Sequence, residues 1–150
     1  MAVSVIPTQT EAEIEAARVL FREYDASLDT RQCTTGIEEE IRGLPANYAA
    51  LFLARDADGR TIGCVGMRPA KPAVCELKRL YVRPAGRGHG AGRALVEEAL
   101  AFARNAGCRE IVLDTLPSME AAVALYRRLG FEQVRACGGG CSLSFRKEVG

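Results

Sequence analysis

The stretch Leu80-Tyr81-Val82-Arg83-Pro84-Ala85-Gly86-Arg87-Gly88-His89-Gly90-Ala91-Gly92-Arg93-Ala94-Leu95 decides how this chain is read. A strand-like run ends at Pro84, glycines alternate at 86, 88, 90 and 92, and an apolar-periodic helix opens directly behind them. The first amides of a helix have no internal acceptor and sit at the positive end of its dipole, so they bind phosphate well. Glycine lets the backbone come close and adopt positive φ. Arg83, Arg87 and Arg93 add guanidinium donors suited to phosphate oxygens. Together these features predict an anion-binding loop between a strand and a helix.

Outward from that loop, the pattern predicts a mixed sheet. A short strand is expected at Val3–Ile6, then a helix from Thr10, which stands at capping-box distance from Glu13. A short helix over Gly36–Leu44 follows, stopped by Gly43 and Pro45. Asp56-Ala57-Asp58-Gly59 between two apolar runs marks a hairpin joining strands at about Ala49–Arg55 and Thr61–Arg68. A third strand is expected at Val74–Val82. The helix after the loop runs over Gly90–Asn105 and ends at Ala106-Gly107. Strand Glu110–Asp114, a helix from Pro117-Ser118 to Leu129, and terminal strands at Phe131–Val134 and Cys141–Lys147 complete the order. An early meander followed by alternating strands and helices predicts an α/β chain with a mixed, mostly antiparallel sheet of six or seven strands and about four helices.

Composition narrows the partners. The chain has 150 residues, 48% of them hydrophobic, and a formal net charge of +1. One domain over residues 1–150 is expected. Balanced charge gives no reason to expect nucleic acid. No apolar run approaches the roughly 18 residues of a membrane span, so no membrane partner is expected. The first residues lack a basic segment followed by a long apolar one, which predicts a cytoplasmic location and six reduced cysteines. Cys33, Cys64, Cys75 and Cys108 read as isolated thiols, and Cys137 with Cys141 brackets three glycines without a second ligand pair. His89 is the only histidine, which leaves no His-based zinc site, and no metal is expected.

Three owners of such a loop can be compared. A Walker A loop requires Gly-Lys-Ser/Thr, which is absent. A dinucleotide fingerprint requires a third glycine where Arg93 or Leu95 stands. The remaining pattern, Arg87-Gly88-His89-Gly90-Ala91-Gly92, resembles the Arg/Gln-x-x-Gly-x-Gly/Ala signature of the GNAT superfamily of N-acetyltransferases. Glu76-Leu77-Lys78-Arg79-Leu80-Tyr81-Val82-Arg83-Pro84 before the loop is similar to that family, as is Ala122-Val123-Ala124-Leu125-Tyr126-Arg127-Arg128-Leu129-Gly130-Phe131 after it.

The resemblance implies an acyl-CoA N-acyltransferase architecture with acetyl-CoA as co-substrate. It implies that Val74–Val82 splays from its parallel neighbour Glu110–Asp114, with pantetheine between them. Cofactor contacts would then run over Leu80, Tyr81 and Val82, along Arg87, Gly88, His89, Gly90, Ala91, Gly92 and Arg93, and to Ser118 and Met119. A backbone N–H near Leu80 would polarise the thioester carbonyl. An alkylamine acceptor, with pKa about 10.4, needs a base. Glu76 is the candidate, placed by strand parity on the same face as Leu80 and Val82; the alternative is a strand-edge carboxylate paired with Lys78 or an arginine. Tyr126 occupies the family's general-acid position and would protonate the departing thiolate; otherwise it packs its ring against CoA. Many relatives carry Asn where this chain has Met119, so Ser118, a backbone group or apolar packing must serve there.

The acceptor site implied by the family is lined by the first two helices, their connection and the last hairpin. Here those segments hold Tyr24, Asp25, Asp29, Glu38, Glu39, Glu40 and the glycines within 137–141. Clustered acids attract a cationic amine, or simply occupy a helix start where they favour the dipole. The resulting expectation is acetyl transfer to a primary amine of a small molecule or peptide. A non-catalytic acetyl-CoA-binding sensor is the alternative from another class. The exposed edges of a mixed sheet also suit a homodimer.

Overall fold

The computed structural model describes residues 2–28, 37–134 and 142–150. Expectations at Asp29, Cys33, Gly36, Cys137, Cys141 and the 137–141 turn lie outside the described residues. The elements are β1 (Ser4–Pro7), α1 (Glu11–Ser27), α2 (Ile37–Gly43), β2 (Ala50–Arg55), β3 (Thr61–Lys71), β4 (Val74–Val82), α3 (Ala91–Asn105), β5 (Glu110–Thr115), α4 (Glu120–Arg128), β6 (Glu132–Val134) and β7 (Leu143–Glu148). Thr10 caps α1 with the reciprocal Glu13 bonds that the spacing predicts. β3 continues through Pro69 to Lys71, beyond its expected end at Arg68. α4 starts at Glu120, not at Pro117-Ser118, with Met119 as its N-cap.

One seven-stranded sheet has the order β1-β2-β3-β4-β5-β7-β6. Every neighbouring pair is antiparallel except β4 with β5, which α3 connects as a crossover. Two apolar layers cover it. Leu95, Val96, Ala99 and Ala103 of α3 pack with Leu125 and Tyr126 of α4 onto Val65, Met67, Leu77, Ile111, Leu113 and Phe145. Leu20 and Phe21 of α1 and Ile41 of α2 pack onto Leu51, Leu53, Cys64 and Tyr81 from the other side. Helix periodicity and strand alternation each deliver one apolar face, and the sheet between them is covered twice.

The expectation of six reduced thiols is corrected at one pair. Cys75 and Cys108 are joined as a disulfide, with Cα atoms 6.3 Å apart. Cys75 opens β4 and Cys108 precedes β5, so the parallel pairing that brings Val74 beside Glu110 also brings these two cysteines together. Separate positions in sequence conceal that adjacency. Among the described residues no helix is long and apolar enough to cross a membrane.

Candidate active site

β4 and β5 pair over only three rungs, Val74 with Glu110, Cys75 with Ile111 and Glu76 with Val112. Beyond Glu76 the two strands no longer pair, and a cavity of about 790 Å³ opens against Leu80–Val82 of β4, the start of α3 and residues of α4. Arg83 N–H donates to Ile62 carbonyl at 2.8 Å, toward β3. Alternation along an antiparallel strand then turns the backbone groups of Leu80 and Val82 to the open side. Val82 carbonyl accepts there from Arg87 Nε at 3.0 Å.

The glycine loop closes the far end of this slot. Pro84–Gly86 forms a 3-10 turn, and α3 starts behind it without a side-chain cap. Gly88 and Gly90 hold φ of 86° and 82°, values that Cβ-bearing residues rarely adopt. An added Cβ at either position would meet no atom within 4 Å, so backbone conformation, and not space, requires glycine there. The first intrahelical bond runs from Ala94 N–H to Gly90 carbonyl, which leaves the amides of Ala91, Gly92 and Arg93 at the helix start.

Leu80, Tyr81, Val82, Arg87, Gly88, Gly90, Ala91, Gly92, Arg93, Ser118 and Met119 all line the cavity. His89, also expected there, is exposed and is not among the lining residues. Met119 accepts a hydrogen bond from Thr115 Oγ1 through its sulfur at 3.6 Å. Residues beyond the expected set also line it, among them Ser27, Leu28, Ala121, Leu125 and Arg128. The spacing of 121, 125 and 128 is a helical stripe and was readable in the sequence. Ser27 and Leu28 reach the site only because α1 crosses the sheet, and nothing local signals that.

Three expectations are corrected. Arg83 does not aim at the loop: it forms a forked pair with Glu23 across 60 residues, with Nη2 2.7 Å from Oε2. That pairing holds the Glu23 carboxyl below its ordinary value. Two of the three acids of α2 are likewise engaged. Glu38 pairs with Arg22, while Glu40 accepts from Arg79 Nε and Nη2 at 3.0 and 3.1 Å and from the Tyr48 hydroxyl at 2.8 Å.

The third correction concerns parity along β4. Gly66 pairs with Lys78 and Cys64 with Tyr81, so three residue steps along β4 oppose two along β3. The extra residue is a β-bulge at Arg79, which has φ of 60°. Cys64 Sγ donates to the Arg79 carbonyl at 3.4 Å, and the Glu40 carboxylate holds its guanidinium. A bulge reverses which residues face which side. Cys75, Leu77 and Leu80 face α3, whereas Glu76 and Lys78 stand on the face of α1 and α2 with Tyr81. Glu76 therefore does not share a face with Leu80 and Val82.

Tyr126 packs within the opposite layer, and neither it nor Glu76 is among the residues that line the cavity. It is 3% exposed, between Phe131 and Phe145 with ring centroids at 5.5 and 6.0 Å. Burial, and secondarily the nearby Tyr24, push its phenol well above the ordinary value of 10.0. Such a group stays protonated at neutral pH and so holds a proton that it can donate.

A model of the acetyltransferase (GNAT) family matches residues 14–131 of the chain. An uncharacterized N-acetyltransferase of Schizosaccharomyces pombe is 31% identical over 135 residues, covering 87% of this chain and 83% of its own length. An aminoglycoside N(6')-acetyltransferase type 1 of Stenotrophomonas maltophilia is 36% identical over 105 residues, covering 65% of this chain and 69% of that protein. The fold is that of a GNAT superfamily phosphinothricin acetyltransferase from Sinorhizobium meliloti, solved in complex with acetyl-CoA. The TM-score is 0.78 at 20% identity, over 100% of this chain and 90% of that one.

Proposed function

Because the chain belongs to the acetyltransferase (GNAT) family, we propose that acetyl-CoA lies in the slot between β4 and β5 and that Glu76 and Tyr126 serve the transfer from opposite sides of it. The chain is an N-acetyltransferase that uses acetyl-CoA. One observation carries the placement: β4 and β5 separate directly after Glu76, and the opening leads to the uncapped start of α3.

The residues divide the work by chemistry. Amides of Ala91, Gly92 and Arg93, with the Arg87 guanidinium, would hold the pyrophosphate. Leu80 and Val82 would pair with pantetheine amides as a sheet edge pairs with an added strand, Arg87 leaving the Val82 carbonyl for phosphate. Leu80 N–H would stabilise charge developing on the thioester oxygen. Ser118 and Met119 would border the same chain from α4, with the Met119 sulfur and methyl in place of an amide.

In the transfer step the acceptor nitrogen forms a bond to the acetyl carbon and the carbon–sulfur bond breaks. One proton of the ammonium goes to Glu76, directly or through water, before attack; the departing thiolate takes one from Tyr126, and the second proton shed by the nitrogen passes through water to restore the phenol. Base and acid on opposite faces suit attack from one side and departure toward the other. The test is a panel of chemically diverse amines with thiol release as readout, beside calorimetric binding of acetyl-CoA. Turnover of at least one amine supports transfer at this slot. Tight acetyl-CoA binding with no turnover above background on any amine would favour a sensor.

A further inference from the structure

The face that holds Glu76 carries charges without an ion-pair partner within 4 Å among the described residues. Arg68 lies directly across from Glu76 in the β3–β4 register, and Lys78 follows two residues later on the same face. All three are partly buried, and none has an ion-pair partner within 4 Å among the described residues. Charges withdrawn from water without a partner are unfavourable, and a ligand of opposite sign removes that penalty. The adjoining charges behave differently. Glu40 is held twice by Arg79, and Glu23 by Arg83. Glu23, Glu38 and Glu40 are thus already engaged, whereas Arg68 and Lys78 stand beside Glu76 as two cations to one carboxylate on that strand face.

The surroundings give this group a fixed shape. Arg68 lies over the Tyr48 ring with its guanidinium 5.7 Å from the centroid. The Tyr48 hydroxyl is bound to Glu40, and Arg79 in turn stacks 5.8 Å from the Tyr24 ring. Lys78 is depressed below its ordinary value, first by burial and then by repulsion from Arg79 and Arg68, against the attraction of Glu76 and Glu40. An added anion would relieve that repulsion. Directly opposed strand residues sit about 5 Å apart, and alternate residues along one strand about 6.5 Å. An anion reaching Arg68 and Lys78 is therefore within a few bonds of an amine reaching Glu76.

We propose that the acceptor is a small amine that also carries an oxyanion, a carboxylate or a phosphate a few bonds from its nitrogen, held by Arg68 and Lys78 while Glu76 receives the ammonium proton. This rests on Glu76 marking the acceptor side of the slot. Polycationic amines are disfavoured there by the same two cations.

Paired acceptors test it. Thiol release is measured with amino acids against their carboxamides, and with amino phosphates against the corresponding amino alcohols. The anionic member of at least one pair is expected to show a kcat/KM at least tenfold higher, and the pair that responds identifies the oxyanion. Arg68→Gln and Lys78→Gln should each raise KM for the anionic acceptor several-fold, with the affinity for acetyl-CoA unaltered. The folded double variant Arg68→Glu, Lys78→Glu should shift the preference toward diamines. Equal or better turnover of the carboxamides and alcohols would overturn the acceptor class and leave acetyl transfer standing. Absence of thiol release with every amine, while acetyl-CoA still binds, would overturn both.

Discussion

Glu76 and Leu80, four residues apart on β4, stand on opposite faces of the sheet because the bulge at Arg79 places one extra residue between them. The bulge sits just past the last rung that β4 shares with β5. One irregularity thereby does two things. It turns the backbone groups of Leu80 and Val82 to the open slot, and it leaves Glu76 on the α1 and α2 face, the side proposed for the acceptor.

Replacing Glu76 by Gln should lower kcat/KM by about 10²- to 10⁴-fold, the usual range for a lost general base. The shape is nearly isosteric, so calorimetry should find acetyl-CoA affinity unaltered. Without the base only acceptor already deprotonated in solution reacts, and an alkylamine has pKa about 10.4, so the variant's residual rate should rise more steeply with pH than the wild type's. An unchanged pH–rate profile would remove Glu76 from the role.

Tyr126→Phe keeps the ring between Phe131 and Phe145 and deletes only the hydroxyl. A fall in kcat of roughly 10²-fold is expected, with little change in melting temperature. The wild-type phenol is raised above 10.0 by burial, so no loss of rate from its deprotonation should appear below about pH 10. Full activity in the Phe variant would reduce Tyr126 to a packing residue.

At Gly90, alanine must adopt φ near 82°, which is unfavourable by about 1–2 kcal/mol for a residue with Cβ. The chain can relieve this only by moving the start of α3. Gly90→Ala should weaken acetyl-CoA binding at least tenfold in calorimetry while kcat at saturation changes less. Unaltered affinity would separate this loop from the cofactor.

Glu40 links acid stability to the bulge. Burial raises its carboxyl, but the hydrogen bonds and charge of Arg79 outweigh burial and hold it below its ordinary 4.5. A carboxyl lowered in the folded state contributes stability above its unfolded value, and that contribution disappears as pH falls through the folded one. Glu40→Gln should therefore be less stable than wild type by about 1–3 kcal/mol near neutral pH. The gap in denaturant midpoints should narrow below pH about 4.5. A gap constant across that range would show that the pair is not linked to the proton.

Local signals carried far in this chain. The capping box at Thr10 and Glu13, the hairpin at Asp56–Gly59 and the stop at Ala106-Gly107 are contacts within a few residues, and each stands where its spacing indicates. The same holds for the expected contacts that line the slot from Leu80 to Arg93, His89 excepted, since a strand, a glycine loop and a helix start follow one another in sequence. The misread positions are those whose partners are distant. Arg83 is held by Glu23 across 60 residues and Arg79 by Glu40 across 39, and Cys75 meets Cys108 at a separation of 33.

The sequence by itself determined the order of elements, the anion-receptive loop and the family, because periodicity, turn chemistry and short motifs act over a few residues. Only the tertiary structure decided which face Glu76 occupies, which charges are already paired and which stand open beside it. The physical reason is register. Strand parity holds until a neighbour imposes a bulge, and the charge available to a ligand is what remains after distant ion pairs have formed.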